Sequence, residues 1–248
     1  MTPGSSGALG GAGGRASGRG LALPDTADLA AAAGDDAVDG RRARGHRTRY
    51  NVAQALTELL RAGNPEPTAR AVAARAGVSL RLVFHHFADM DDLYHFLAAL
   101  QLRRQWSAMP RISPKLSLAT RIERTVSHRA TLFEEISPVR RALVRRAPSS
   151  PGVRADIGAA DRLLLEDLKA TFAPELAVLT AATRAEYLGA MDTVSSWEAW
   201  ERLRATSGTP VRVARRVMTR LLTSLNELGL DEDRGPGPPV AAPSPRSR

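Results

Sequence analysis

The chain has 248 residues, enough for one sizeable domain or two small ones, and its 43% hydrophobic residues include so few aromatics (4%) that a core must come mainly from Leu, Val and Ala. The formal charge of +9 points to a polyanionic partner, either nucleic acid or an acidic surface. The absence of cysteine excludes disulfides and thiolate chemistry. No run reaches the roughly 18 apolar residues of a spanning helix, and the Gly/Ser-rich start lacks a secretory layout, so a soluble cytoplasmic protein is expected.

The first twenty residues hold eight glycines, and residues 1–40 are expected to be disordered because they bury too little apolar surface to offset ordering. Next comes a basic run, Arg41, Arg42, Arg44, Arg47 and Arg49, expected to precede the first helix. Charge is concentrated here. From Arg41 to Phe87 there are nine arginines and two acids, a net of +7, whereas residues 1–40 carry −3. The run reads either as a DNA-contacting arm or as a solvated leader.

Val52, Ala55, Leu56, Leu59 and Leu60 then share one helical face, which Gly63 and Pro65 end. Thr68 is a cap for a short helix carrying Val72, Ala73 and Ala76; Gly77 ends it, and Ser79 caps the next. Phe84 and Phe87 read as core residues that lock this second short helix. Asp89 caps a longer one with Leu93, Phe96, Leu97 and Leu100.

Leu118, Ile122, Val126, Phe133 and Ile136 define another stripe, after which Pro138 is placed at a new helix start. Residues 147–152 read as a loop. Ile157, Leu164, Leu165 and Leu168 mark a helix that ends near Pro174, and Tyr187 through Leu203 reads as one long helix containing Trp197 and Trp200. Gly208 and Pro210 break it before a last helix with Ala214, Val217, Leu221, Leu225 and Leu228. The proline-rich residues 231–248 are expected to be disordered. No segment alternates with period two, so the fold class is all-α.

The informative stretch is TARAVAARAGVSLRLVFHHFADMDDL, Thr68 to Leu93. Two short helices joined by Gly77-Val78-Ser79 form a helix-turn-helix layout, in which the second helix enters the major groove of DNA. With Gly63, Thr68, Val72-Ala73, Ala76-Gly77-Val78-Ser79, Phe84, His85-His86-Phe87 and Leu93 at matching spacing, the stretch resembles the DNA-binding domain of the tetracycline-repressor (TetR) family.

The resemblance implies a three-helix DNA-binding domain over residues 41–95 and a helical effector-binding and dimerisation domain over 96–230. It implies double-stranded operator DNA, a second copy of the chain and a small-molecule effector as partners. Thr68 and His85 would meet phosphate, Ser79, Leu80, Arg81 and Leu82 would face the groove, and Phe84 stands where the family usually has a phosphate-binding Tyr. Met90 likewise replaces a family Lys. Candidate pocket residues are Trp106, Met109, Phe133, Leu165 and Met191. Candidate interface residues are Ala190, Val194, Trp197, Ala214, Val217, Leu221 and Leu225, the tryptophans also being open to a pocket role. The implied function is a repressor released by its effector. An activator of the same fold, or a basic helical protein binding RNA or acidic surfaces without reading sequence, are the alternatives.

No nucleotide-binding, nucleophile-elbow or zinc-protease motif is present, so no enzyme and no cofactor are expected. Adjacent His85 and His86 point apart on a helix, and Asp91 with His95 supplies too few ligands for a metal.

Overall fold

The computed structural model describes residues 38–232; residues 1–37 and 233–248, for which disorder was expected, lie outside the described residues. Among the described residues every regular element is helical. In chain order these are α1 Val38–Arg61, α2 Ala69–Ala76, α3 Leu80–His86, α4 Met90–Ala108, α5 Leu118–Arg146, α6 Pro151–Thr171, α7 Ala173–Ala177, α8 Ala181–Val194, α9 Trp197–Glu201 and α10 Val211–Glu232. None is long and apolar enough to cross a membrane.

Local chemistry sets most of the boundaries. Asp89 starts α4 by accepting the amide of Asp92 at 2.8 Å, and Ser117 starts α5 through Thr120. Three expectations need correction. The arginine run does not precede the first helix: α1 begins at Val38, inside the leader segment, and carries all five arginines. Arg and Ala are good helix formers, and they carry the helix backwards from Val52 through Gly45, whose cost of about 1 kcal/mol does not break it.

Pro138 does not start a helix but lies inside α5. Proline has no N–H to give the carbonyl of Glu134, yet the Ser137 hydroxyl donates to the Phe133 carbonyl at 2.6 Å, and Trp197 donates its indole N–H to that hydroxyl at 3.0 Å. Tertiary packing outweighs the proline penalty.

The long helix expected through Leu203 is interrupted after Val194. Ser196 caps α9 by accepting the amide of Ala199 at 3.0 Å, and α9 widens into a π-turn over Arg202–Thr206, closed by Ser207 N–H to the Arg202 carbonyl at 2.9 Å.

Two apolar cores follow. The first gathers α1, α2, α3 and the start of α4 around Leu56, Val72, Val83, Phe87 and Leu93, and it takes Val139, Ala142 and Leu143 from the end of α5 and Val153 from α6. The second joins the start of α5 to α6, α8, α9 and α10 around Phe133, Leu168, Met191, Trp200 and Leu222. α5 is thus common to both, and Pro138 sits where it passes from one to the other.

Buried polar links stitch the second core. Arg129 is fully buried, where desolvation pushes its guanidinium down to about 10, and it donates to the carbonyls of Ser195 (2.9 Å) and Leu164 (2.7 Å). The Tyr187 hydroxyl, pushed up by burial, donates to the amide oxygen of Asn226, whose own N–H bonds the Leu222 carbonyl at 2.7 Å.

Candidate nucleic-acid interface

Helices α2 and α3 are set by two hydroxyl caps and one left-handed residue. The Thr68 hydroxyl accepts the amide of Ala71 at 3.2 Å and the Ser79 hydroxyl that of Leu82 at 3.1 Å. A capping hydroxyl spends only a lone pair, so each keeps its proton for an outside acceptor. Between them Gly77 takes φ +67°, the conformation that ends α2 and turns the chain into α3.

The rotation of α3 decides which side chains can reach DNA. Val83 and Phe87 are buried, and Leu80, at the same helical phase, packs against the first core. Leu80 is therefore turned away from the outward stripe that Arg81, Phe84 and His85 form at i, i+3 and i+4. Phe84 is not the core residue expected: it is 47% exposed, and Phe87 alone of the two locks the helix. Leu82 and His86 lie between the faces. Burial, with His85 and Arg49 adding repulsion, holds His86 below the ordinary histidine range.

The basic run divides. Arg44 and Arg47 are exposed, whereas the guanidinium of Arg49 lies 4.7 Å from the ring centroids of both Phe87 and Phe96. Arg49 clamps α1 to α3 and α4, and its Nε is buried without an acceptor. The side chains of Arg41 and Arg42 are not among those described.

Arg75 is bound to Glu58 at 2.6 Å, but Arg70, one residue into α2 beyond its start, is exposed and has no acidic partner among the described residues. Sequence reasoning passed over Arg70. Its signal is its place two residues after the cap Thr68, where any anion held by the start of α2 would lie within its reach.

The head is fastened to the rest of the chain by charge as well as packing. Arg146 bonds Asp91 at 2.5 Å and covers the Tyr94 ring at 4.3 Å, Arg145 donates to the Pro65 carbonyl at 2.7 Å, and His95 meets Asp156 at 2.6 Å. Asp91 and His95, the pair at ligand spacing, are thus each bound to a different partner. No three metal-ligating side chains gather among the described residues.

Of the candidate pocket residues, Phe133 and Met191 are buried in the second core with Met109 packed against it, and Trp106 and Leu165 are half-buried. A cavity of about 50 Å³ opens between α4, α5 and α6, lined by Gln101, Leu102, Gln105, Ile136, Arg140 and Asp156 among others. That volume suits a water or two, against the roughly 300–1,000 Å³ of a typical ligand site. Of the candidate interface residues, Trp197 and Ala214 are buried inside the protomer and so cannot serve a subunit contact. Leu221 is 45% exposed on α10; Val217 lies one turn before it, and Ala190 and Val194 are half-buried on α8.

Residues 53–97 match the family described as bacterial regulatory proteins, tetR family. The fold resembles the crystal structure of a transcriptional regulator from Rhodococcus sp. Rha1, at 17% identity and a TM-score of 0.59, covering 72% of this chain and 96% of that one. No curated protein matches the chain. Capped helices α2 and α3 about a left-handed glycine lie within the matched segment, so residues 53–97 carry a helix-turn-helix of the tetR-family kind inside a frame that is helical throughout the described residues.

Proposed function

We propose that the chain is a cytoplasmic homodimeric repressor that reads operator DNA through α3 and lets go when a small molecule binds. The outward stripe of Arg81, Phe84 and His85, flanked by two hydroxyls with free protons, carries this reading. Arg81 has the reach and the two parallel N–H groups to bond a guanine edge, a contact worth about 1–3 kcal/mol of discrimination, and Phe84 offers apolar contact to a thymine methyl. His85, Thr68 and Arg70 would meet phosphates and fix the register.

Val217 and Leu221 on α10, with Ala190 on α8, support a subunit contact. It would set the two heads roughly 34–36 Å apart, one turn of duplex. The cavity between α4, α5 and α6 touches the helix that continues the reading head, so a molecule widening it would move α4. Coupling between that molecule and DNA would be reciprocal.

The test compares binding of the chain to the DNA upstream of its own coding region with binding to scrambled duplex at about 150 mM salt. Preference for the former is expected, and equal affinity would favour a non-specific basic protein. Arg81→Ala should flatten the preference by roughly 5- to 150-fold while leaving scrambled-DNA affinity less changed. An equal fall on both would make Arg81 a phosphate contact.

A further inference from the structure

Four arginines of the head, Arg44, Arg47, Arg70 and Arg81, are exposed and have no acidic partner among the described residues. A Cβ added to Gly45 would stand 3.8 Å from the His86 ring, so the start of α1 lies beside the end of α3 and the exposed arginines of the two helices belong to one end of the head. Such a surface, uncompensated, attracts any polyanion and any stretch of duplex regardless of sequence.

The chain itself supplies an anion of opposite pattern. Residues 20–40 contain Asp25, Asp28, Asp35, Asp36 and Asp39 and no Lys or Arg. This segment runs into the first turn of α1, where Asp39 lies, a few residues from Arg44. Asp25 is thirteen residues from Val38, and at about 3.3 Å per residue that tether spans roughly 40 Å. Gly45 lies about 10 Å along α1 from Val38, and Arg81 about 8 Å along α3 from His86, so the arginines of α1 and α3 fall within that reach, and a short tether holds the carboxylates at an effective concentration of about millimolar.

We propose that the aspartate-bearing segment Asp25–Asp39 docks on the arginine face of its own head and competes there with DNA phosphates. The inference rests on reading that face as phosphate-binding. The segment acts as an internal polyanion that any duplex must displace. Its hold weakens as salt screens it, because these contacts are solvent-exposed.

The experiment uses three forms of the full-length protein: the parent, a deletion of residues 1–20, and a variant with D25N, D28N, D35N, D36N and D39N. Binding to a duplex without operator sequence is measured from roughly 50 mM to 200 mM salt. The five-fold Asn variant is expected to bind about tenfold tighter at the low end, with the gap closing as salt rises, while the deletion behaves as the parent.

A second readout needs no DNA. The chain has no cysteine, so Ala33→Cys accepts a single nitroxide label. Amide signals of α2 and α3, remote along the chain from the label, should broaden at low salt and recover at high salt. Absence of broadening overturns the docking. Broadening with unchanged DNA affinity overturns the competition. A protein that shows broadening yet binds no duplex in any form removes the proposed function and leaves the docking standing.

Discussion

Replacing Arg49 with methionine separates two roles that arginines of one run play. The guanidinium of Arg49 sits 4.7 Å from each of two ring centroids, and two half-exposed cation–π contacts amount to about 1–2 kcal/mol. Methionine keeps an unbranched stem and restores about 0.3–1.5 kcal/mol through sulfur–ring contact. It also removes a buried Nε with no acceptor, a group whose desolvation costs about 1–3 kcal/mol. The gains match or exceed the loss, so Arg49→Met should be at least as stable as the parent, by up to about 2 kcal/mol, in urea denaturation. Its plot of log affinity against log salt should keep the parent slope.

Arg47→Met removes an exposed cation and should lower that slope by about 0.9 at little cost to stability. Titrations of one duplex at four or five salt concentrations, run beside denaturation curves, read both quantities. A slope lowered by Arg49→Met and untouched by Arg47→Met would show the assignment to be inverted.

Gly77→Ala meets nothing within 4 Å, so its cost is that of the left-handed backbone alone, about 1–2 kcal/mol; an unchanged urea midpoint would contradict the turn geometry. Phe133→Ala, in the second core, should cost about 3–5 kcal/mol with an unaltered m-value, and a loss under about 1 kcal/mol would mean the site collapses freely. Asp156 is raised above the ordinary aspartate value by burial, which outweighs the lowering by His95. The folded state therefore holds that proton more tightly than the unfolded one. Stability is largest below the ordinary value and falls as pH rises through the raised one. Asp156→Asn should lack this fall; identical pH profiles for parent and variant would refute it.

The parts legible in the sequence were those written in local chemistry. Thr68, Gly77, Ser79 and Asp89 act through hydrogen bonds three or four residues away, and spacing along the chain reveals them. Phe84 and Phe87 could not be told apart by type: both are apolar, and only the phase of α3 against α1 buries one and exposes the other. The same phase took Leu80 out of the groove. Pro138 misled because its N–H deficit is real but is outweighed by Trp197, sixty residues on. The break before α9 was hidden by apolar periodicity that continues across it, though Ser195-Ser196 carried the signature of a cap. Pocket residues are the part least legible in a sequence, because a void belongs to several helices at once and to none of their sequences.

The family motif ends near residue 97, but the physical head does not. Val139, Ala142, Leu143 and Val153 are as much a part of its interior as Leu56. A fragment cut after α4 would bare that interior to water and lose the Arg146 clasp on Asp91 as well. The reader of DNA and the remainder of the protein should accordingly melt in a single cooperative step. A disturbance felt along α5 has no joint at which to stop before it reaches the outward side chains of α3.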